Sequence, residues 1–225
     1  MVQSKNNQMP VLKRILGTLR PLLVLLALFL VISTATVAFQ GFRTLQRLTA
    51  VEAERDGWQR SVDVIKALDV GPGSVVVDLG SGAGYFTLKL SDTVGSKGRV
   101  VAVDLRQLSL LFLRVRAFRQ GNRNVDINVG AVDDPHLQPG SADAVLIANT
   151  FHELSEPKAI LAHVARALRP GGRLVVVDRL GRADSVEIQL REAGFNIIAH
   201  EESFIHQHIH EQGDEVWWLI AANKP

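Results

Sequence analysis

Short unbroken runs of Val, Ile and Leu recur along residues 75–222, and most are followed by a stretch with helical spacing. Val75–Leu79, Arg99–Asp104, Ala144–Ala148 and Leu174–Asp178 are such runs, and Val125–Val129, interrupted by Asp126 and Asn128, takes the same place in the order. Continuous apolar strands that alternate with helices belong to a parallel sheet covered on both faces, because each crossover lays a helix over the strands. Helices are expected from the glycine cluster through Leu90, over Gln107–Phe118, and from a Ser155 cap with Pro157 in the first turn. Arg169-Pro170-Gly171-Gly172 should end that third helix, and Val186–Ala193 should form a fourth, closed by Gly194. Phe195–His200 and Glu215–Ala222 have no helix between them and should pair as an antiparallel hairpin at one edge. In such α/β sheets ligands sit beyond the carboxyl ends of the central strands. The chemistry is therefore sought at Asp78–Gly84, Asp104, Gly130–Asp134 and Asn149–Glu153.

The N-terminus obeys different rules. Pro21–Phe39 carries no charge, and a helix of that length reaches about 28 Å, close to the thickness of a bilayer's hydrocarbon. Residues 1–20 then form a basic flank, 21–39 a transmembrane anchor or signal segment, 40–56 an amphipathic connector, and 57–225 the globular domain. Thr36-Val37-Ala38 suits cleavage, but the run is longer than most signal cores, so a retained single-pass anchor is favoured. Basic residues flank the run on both sides, and charge bias only weakly places the N-terminus inside.

The first strand leads into Asp78-Leu79-Gly80-Ser81-Gly82-Ala83-Gly84-Tyr85. Glycines after a strand let backbone amides approach a ligand closely. A dinucleotide fingerprint needs glycine where Tyr85 stands, and Asp78 would repel a pyrophosphate. The same carboxylate can accept hydrogen bonds from an ammonium group, directly or through water. S-adenosyl-L-methionine offers that ammonium, carries a sulfonium and lacks phosphate. Asp104 ends the second strand, where an acid can grip both ribose hydroxyls.

VVVDLGSGAGYFTLKL, VVAVDL and ADAVLIANTFHELSEPKAILAHVARALRPGGRLVVVD, in that order, resemble the motifs of class I S-adenosylmethionine-dependent methyltransferases, closest to a small-molecule group that includes quinone-biosynthesis enzymes. The resemblance covers roughly residues 55–222. It implies a Rossmann-like, doubly wound seven-stranded sheet with its last strand antiparallel. It also implies a cofactor pocket lined by Asp78, Gly80, Ser81, Gly82, Gly84 and Asp104, with Tyr85, Leu105 and Asn149 as further candidates. Relatives often place an acid after the third strand; here Gly130 is followed by Ala131, and Asp133 is the candidate. Arg55-Asp56-Gly57-Trp58-Gln59 resembles the opening segment of bacterial relatives, with Trp58 either covering the pocket or packing in the core.

A methyl acceptor that carries a proton needs a base. His152 is the candidate, with Glu153 orienting it; the alternative is that both only shape the pocket. The acceptor is read as a small, lipid-soluble molecule and the partner as a membrane, with the cytoplasmic face favoured by cofactor supply. Nucleic acid is disfavoured because aromatics are not interleaved with the arginines. The chain has no cysteine, which excludes disulfides, thiolate metal sites and a cysteine nucleophile. No metal site is assigned; His206-x-His208-x-His210 reads as a loop or edge strand before a ligand set. The stretch after Asp104 has more apolar positions than one sheet-facing stripe requires, so it either lies on the bilayer or packs a second interior face. An NAD-dependent oxidoreductase and a non-catalytic membrane-tethered module are the competing functions. Oligomeric state is left open.

Overall fold

The computed structural model describes residues 9–209 and 213–225, with side chains described for 21–207 and 215–225. Two compact units meet in sequence at Thr49 and Ala50.

Helix α1 (Met9–Asp56) supplies the first unit. Its stretch from Pro21 onward has a mean hydropathy of 2.7 over 18 residues, none of them buried, and is long and apolar enough to cross a membrane. Leu22, Leu25, Phe29 and Ile32 are all more than half exposed. A helix apolar on every side has no stable arrangement in water, where each such side chain forgoes roughly 1.5–3 kcal/mol of burial.

The second unit is built on one seven-stranded sheet of order β3-β2-β1-β4-β5-β7-β6. Its elements are α2 (Ser61–Ala67), β1 (Val75–Leu79), α3 (Tyr85–Val94), β2 (Arg99–Asp104), α4 (Gln107–Gln120), β3 (Val125–Val129), β4 (Ala142–Ala148), α5 (Pro157–Ala167), β5 (Leu168–Asp178), α6 (Ala183–Glu192), β6 (Asn196–Ile209) and β7 (Gly213–Asn223). Strands β1 to β5 pair in parallel, and β7 runs antiparallel to both β5 and β6. This is the α/β, mostly parallel sheet expected, with the antiparallel hairpin at one end. The hairpin folds back on itself, so β7 lies inside against β5 while β6 takes the edge. Both strands outrun the apolar stretches that announced them. Register shifts between Ile197 and Ala199 and between Glu201 and Ile205 let them stay paired.

Alternation along the strands divides the core between the two faces. Val77, Leu79, Val145, Ile147 and Val176 pack with Ile160, Leu161 and Val164 of α5 and Val186 and Leu190 of α6. Val76, Val100, Ala144, Leu146 and Val175 face the other way, onto Val64 of α2 and Phe86 and Leu90 of α3. On that second face α4 seats Leu110, Leu113 and Ala117 against Ala102. Two local expectations change. Glu156 rather than Ser155 precedes α5, with no side-chain cap, because Pro157 at the first position already dispenses with an N–H. The Arg169–Gly172 breaker does end α5, but its backbone continues directly as the start of β5.

Candidate active site

The carboxyl end of β1 delivers Asp78 and then the glycine loop. Gly80 and Ser81 donate their N–H groups to the Val103 carbonyl at 2.8 and 3.0 Å, drawing the loop across the end of β2. Gly80 has φ +81°, and a Cβ there would stand 2.2–2.7 Å from three side-chain atoms of Thr150, so both conformation and space demand glycine. Gly84 is held likewise, with Leu113 where a Cβ would go. The Ser81 hydroxyl is buried and has no hydrogen-bond partner among the described residues.

Asp78 is 2% exposed and accepts a 2.5 Å hydrogen bond from Thr87 Oγ1. Burial pushes its carboxyl up to about 6, against partial relief from Thr87. It does not line the open cavity but sits beneath the loop. Tyr85 donates its hydroxyl to Asp56 Oδ1 at 2.8 Å under the Arg55 guanidinium, which lies 3.9 Å from the ring centroid. Burial first, and Asp56 second, push the Tyr85 hydroxyl up to about 12.

Asp104 is buried at the end of β2. Its Oδ2 accepts the Gly82 N–H at 2.8 Å, and its Oδ1 accepts the Arg106 N–H at 2.8 Å and Nε at 3.2 Å. A cavity opens beside it, lined by Gly80, Asp104, Leu105, Arg106, Val132 and Thr150 among others. Asp133 is exposed and does not line the cavity. Ala131 donates its N–H to the Asp134 carbonyl at 2.6 Å, which folds 131–134 into a tight turn with Asp133 on its outer side. Ala131 and Val132 take the position beside the cavity instead.

Beyond β4, Asn149 has φ +51° and accepts a 3.3 Å hydrogen bond from Arg179 outside the cavity. His152 lies in the 3-10 turn Phe151–Glu153. Its Nδ1 is 2.9 and 3.0 Å from the two carboxylate oxygens of Asp178, which is fully buried at the end of β5. The His152 backbone N–H also reaches Asp178, at 3.3 Å. Glu153 is half exposed and only 3.9 Å from His152 Nε2, so Asp178 orients the ring, not Glu153. Trp58 packs on Trp217 with ring centroids 5.6 Å apart, a core role. His206 is on the edge strand β6, whereas the His208 side chain and His210 lie outside the described residues.

Residues 76–172 match the family model described as a methyltransferase domain. The ubiquinone/menaquinone biosynthesis C-methyltransferase of Marinomonas sp. is 31% identical over 125 residues, 54% of this chain and 48% of that protein. The ubiquinone biosynthesis O-methyltransferase of Idiomarina loihiensis is 35% identical over 104 residues, 45% of this chain and 41% of that protein. The chain spans less than half the length of these curated relatives. Among solved structures, an S-adenosylmethionine-dependent methyltransferase from Aquifex aeolicus superposes with a TM-score of 0.67 at 22% identity, covering 80% of this chain and 98% of that one. Residues 76–172 therefore fall in a methyltransferase domain.

Within this methyltransferase domain the sheet order itself speaks against the dinucleotide alternative. A dinucleotide-binding sheet continues parallel past its fifth strand, whereas here β7 enters antiparallel beside β5. Three neighbours of the glycine loop escaped the reading of the sequence. Thr150 abuts Gly80, Arg106 occupies Asp104, and Arg116 reaches the Ala83 carbonyl while pairing with Glu52. No motif marks them, because each is selected by packing across distant elements. Asp178 did carry a signal: an acid closing a buried apolar strand needs a partner.

Proposed function

We propose that this methyltransferase domain transfers a methyl group from S-adenosyl-L-methionine to a small, lipid-soluble acceptor at a membrane, with His152 as the base that removes the acceptor's proton. The contact between His152 and Asp178 carries the reading. Donation of the Nδ1 proton to a buried carboxylate fixes the tautomer and leaves Nε2 with the free lone pair. Asp178 then balances the imidazolium that forms when Nε2 takes the proton. Glu153, at the solvent side, modulates that nitrogen.

The residues around the loop suit the cofactor. Asp104 has about four acceptor positions and holds three donors, one from the exposed Arg106 side chain. Release of that side chain leaves room for two ribose hydroxyls. Gly80, Gly82 and Gly84 place no side chain of their own between the loop's backbone and a ligand, the Ser81 hydroxyl awaits a partner, and Asp78 suits the ammonium end. When bound, S-adenosyl-L-methionine supplies an already activated methyl donor. The protein's contribution is alignment and proton removal, of which orientation alone can supply roughly 7–11 kcal/mol of the barrier.

Two facts support a lipid-soluble acceptor: the apolar helix in the same chain, and relatives whose names place them in ubiquinone and menaquinone biosynthesis. The test incubates the full chain in proteoliposomes with methyl-labelled donor and a lipid extract. His152→Ala should abolish most labelling yet leave S-adenosylhomocysteine affinity unchanged. Equal losses in both would remove the base assignment, and no labelling by the wild type would favour the non-catalytic module.

A further inference from the structure

Helix α4 has two apolar faces, and the fold uses one. Leu110, Leu113 and Ala117 are buried against the sheet. On the opposite side Leu108, Leu111, Val115 and Phe118 form a stripe that is 66, 55, 37 and 74% exposed. Their spacing of three, four and three residues keeps them in one line along the helix. At 100° per residue Arg114 and Arg119 fall on the two borders of this stripe, and both are exposed. Arg123 follows just past the helix, also exposed, and no acidic residue occurs between Asp104 and Asp126. Leu105 and Val132, each about half exposed, continue the apolar surface to the rim of the cavity.

Isolated exposed apolar residues are ordinary, but a four-residue stripe bordered by arginines is an interfacial helix pattern. The alternative of a second interior face fails, because among the described residues nothing in the domain covers these side chains. We infer that α4 docks the domain onto a bilayer rich in anionic lipid, with its apolar stripe at the acyl boundary and Arg114, Arg119 and Arg123 among the headgroups. The charge is complementary, since the cytoplasmic leaflet attracts basic segments by about 1 kcal/mol per residue. A membrane-spanning helix in the same chain would make docking intramolecular, so a modest affinity suffices.

The native chain has no cysteine, so single labels are unambiguous. Leu111→Cys and Phe118→Cys would be coupled to an environment-sensitive fluorophore in the full chain and reconstituted in vesicles with or without phosphatidylglycerol. Ile188→Cys is the control, exposed on α6, which packs on the opposite face of the sheet. Labels at 111 and 118 should shift to the blue and be quenched by brominated lipid tails only in the anionic vesicles, while the label at 188 does neither. Adding Arg114→Gln and Arg119→Gln should shift the docked-to-undocked ratio by about fivefold for each arginine removed. Quenching no greater than at 188 overturns the proposal. So does a blue shift without lipid quenching that vanishes when copies are diluted among vesicles, since that marks a second copy on the stripe. The readout is independent of turnover, so an inactive enzyme that docks would sink the proposed function and spare this inference.

Discussion

Replacing Gly80 by alanine isolates the packing that shapes the cofactor loop. Two costs act at once. A non-glycine residue in the left-handed region at φ +81° loses about 1–2 kcal/mol. A Cβ placed 2.2, 2.3 and 2.7 Å from Thr150 Oγ1, Cγ2 and Cβ must also displace a half-buried side chain, and overpacking of that kind costs about 1–3 kcal/mol. Gly80→Ala should therefore destabilise the domain by about 2–5 kcal/mol. The assay is urea unfolding of the full chain in neutral micelles, followed by tryptophan emission. Trp58, Trp217 and Trp218 all lie in the second unit, so the signal ignores the apolar helix. Adding Thr150→Gly removes the overlap but not the backbone strain, and the double variant should regain the second contribution alone. A neutral Gly80→Ala would refute the reasoning. A double variant as unstable as the single one would assign the whole cost to the backbone.

Asp178→Asn keeps the shape beside His152 but loses the charge that fixes its tautomer; turnover should fall by about 10²–10⁴ with S-adenosylhomocysteine affinity unchanged in calorimetry. Asp78 should give the binding a pH dependence: an ammonium ligand favours the carboxylate, so affinity should drop about tenfold from pH 7 to 5, and Asp78→Asn should flatten the profile. The same residue acts on stability in the opposite sense. The folded state keeps its proton up to about 6 and the unfolded chain only to 3.8, so its contribution is fully present below 3.8 and lost as pH rises through 6. Glu52→Leu should cost about 3–5 kcal/mol in urea by stranding the buried Arg116, whereas adding Arg116→Leu should recover most of that loss.

What could be read from the sequence tracks the range of the interaction. Valine-rich runs and glycine stops act locally, so strand and helix positions in the parallel part emerged from period and punctuation alone. Asp104 was legible because its place at a strand end sets its surroundings. Asp133 was not, since a turn of four residues decides which of its neighbours faces the cavity. Glu153 was chosen as the orienting acid because it is adjacent to His152 in sequence. The ring instead turns to Asp178, 26 residues away, because β4 and β5 are neighbours and their carboxyl ends meet. Parallel pairing brings distant residues together at one level of the sheet, and no window of sequence contains that information.

The end of α1 inside the second unit ties this geometry together. Glu52 pairs with the Arg116 that holds the Ala83 carbonyl, Arg55 lies on the Tyr85 ring, and Asp56 accepts the Tyr85 hydroxyl and pairs with Lys89. These contacts converge on the loop and on the first turn of α3, the segment proposed to meet the cofactor. The loop's own residues offer little to hold it, since three of the five from Gly80 to Gly84 are glycine and bury no side chain. Its rigidity therefore has to come from outside, and residues 52–56 supply part of it. Asp78 lies beneath the same loop, where burial raises its carboxyl to about 6 and the Arg55 charge partly offsets that rise. A carboxylate in a dry site gains most from a cation beside it, which is the physical basis for pairing Asp78 with the ammonium end of the proposed cofactor.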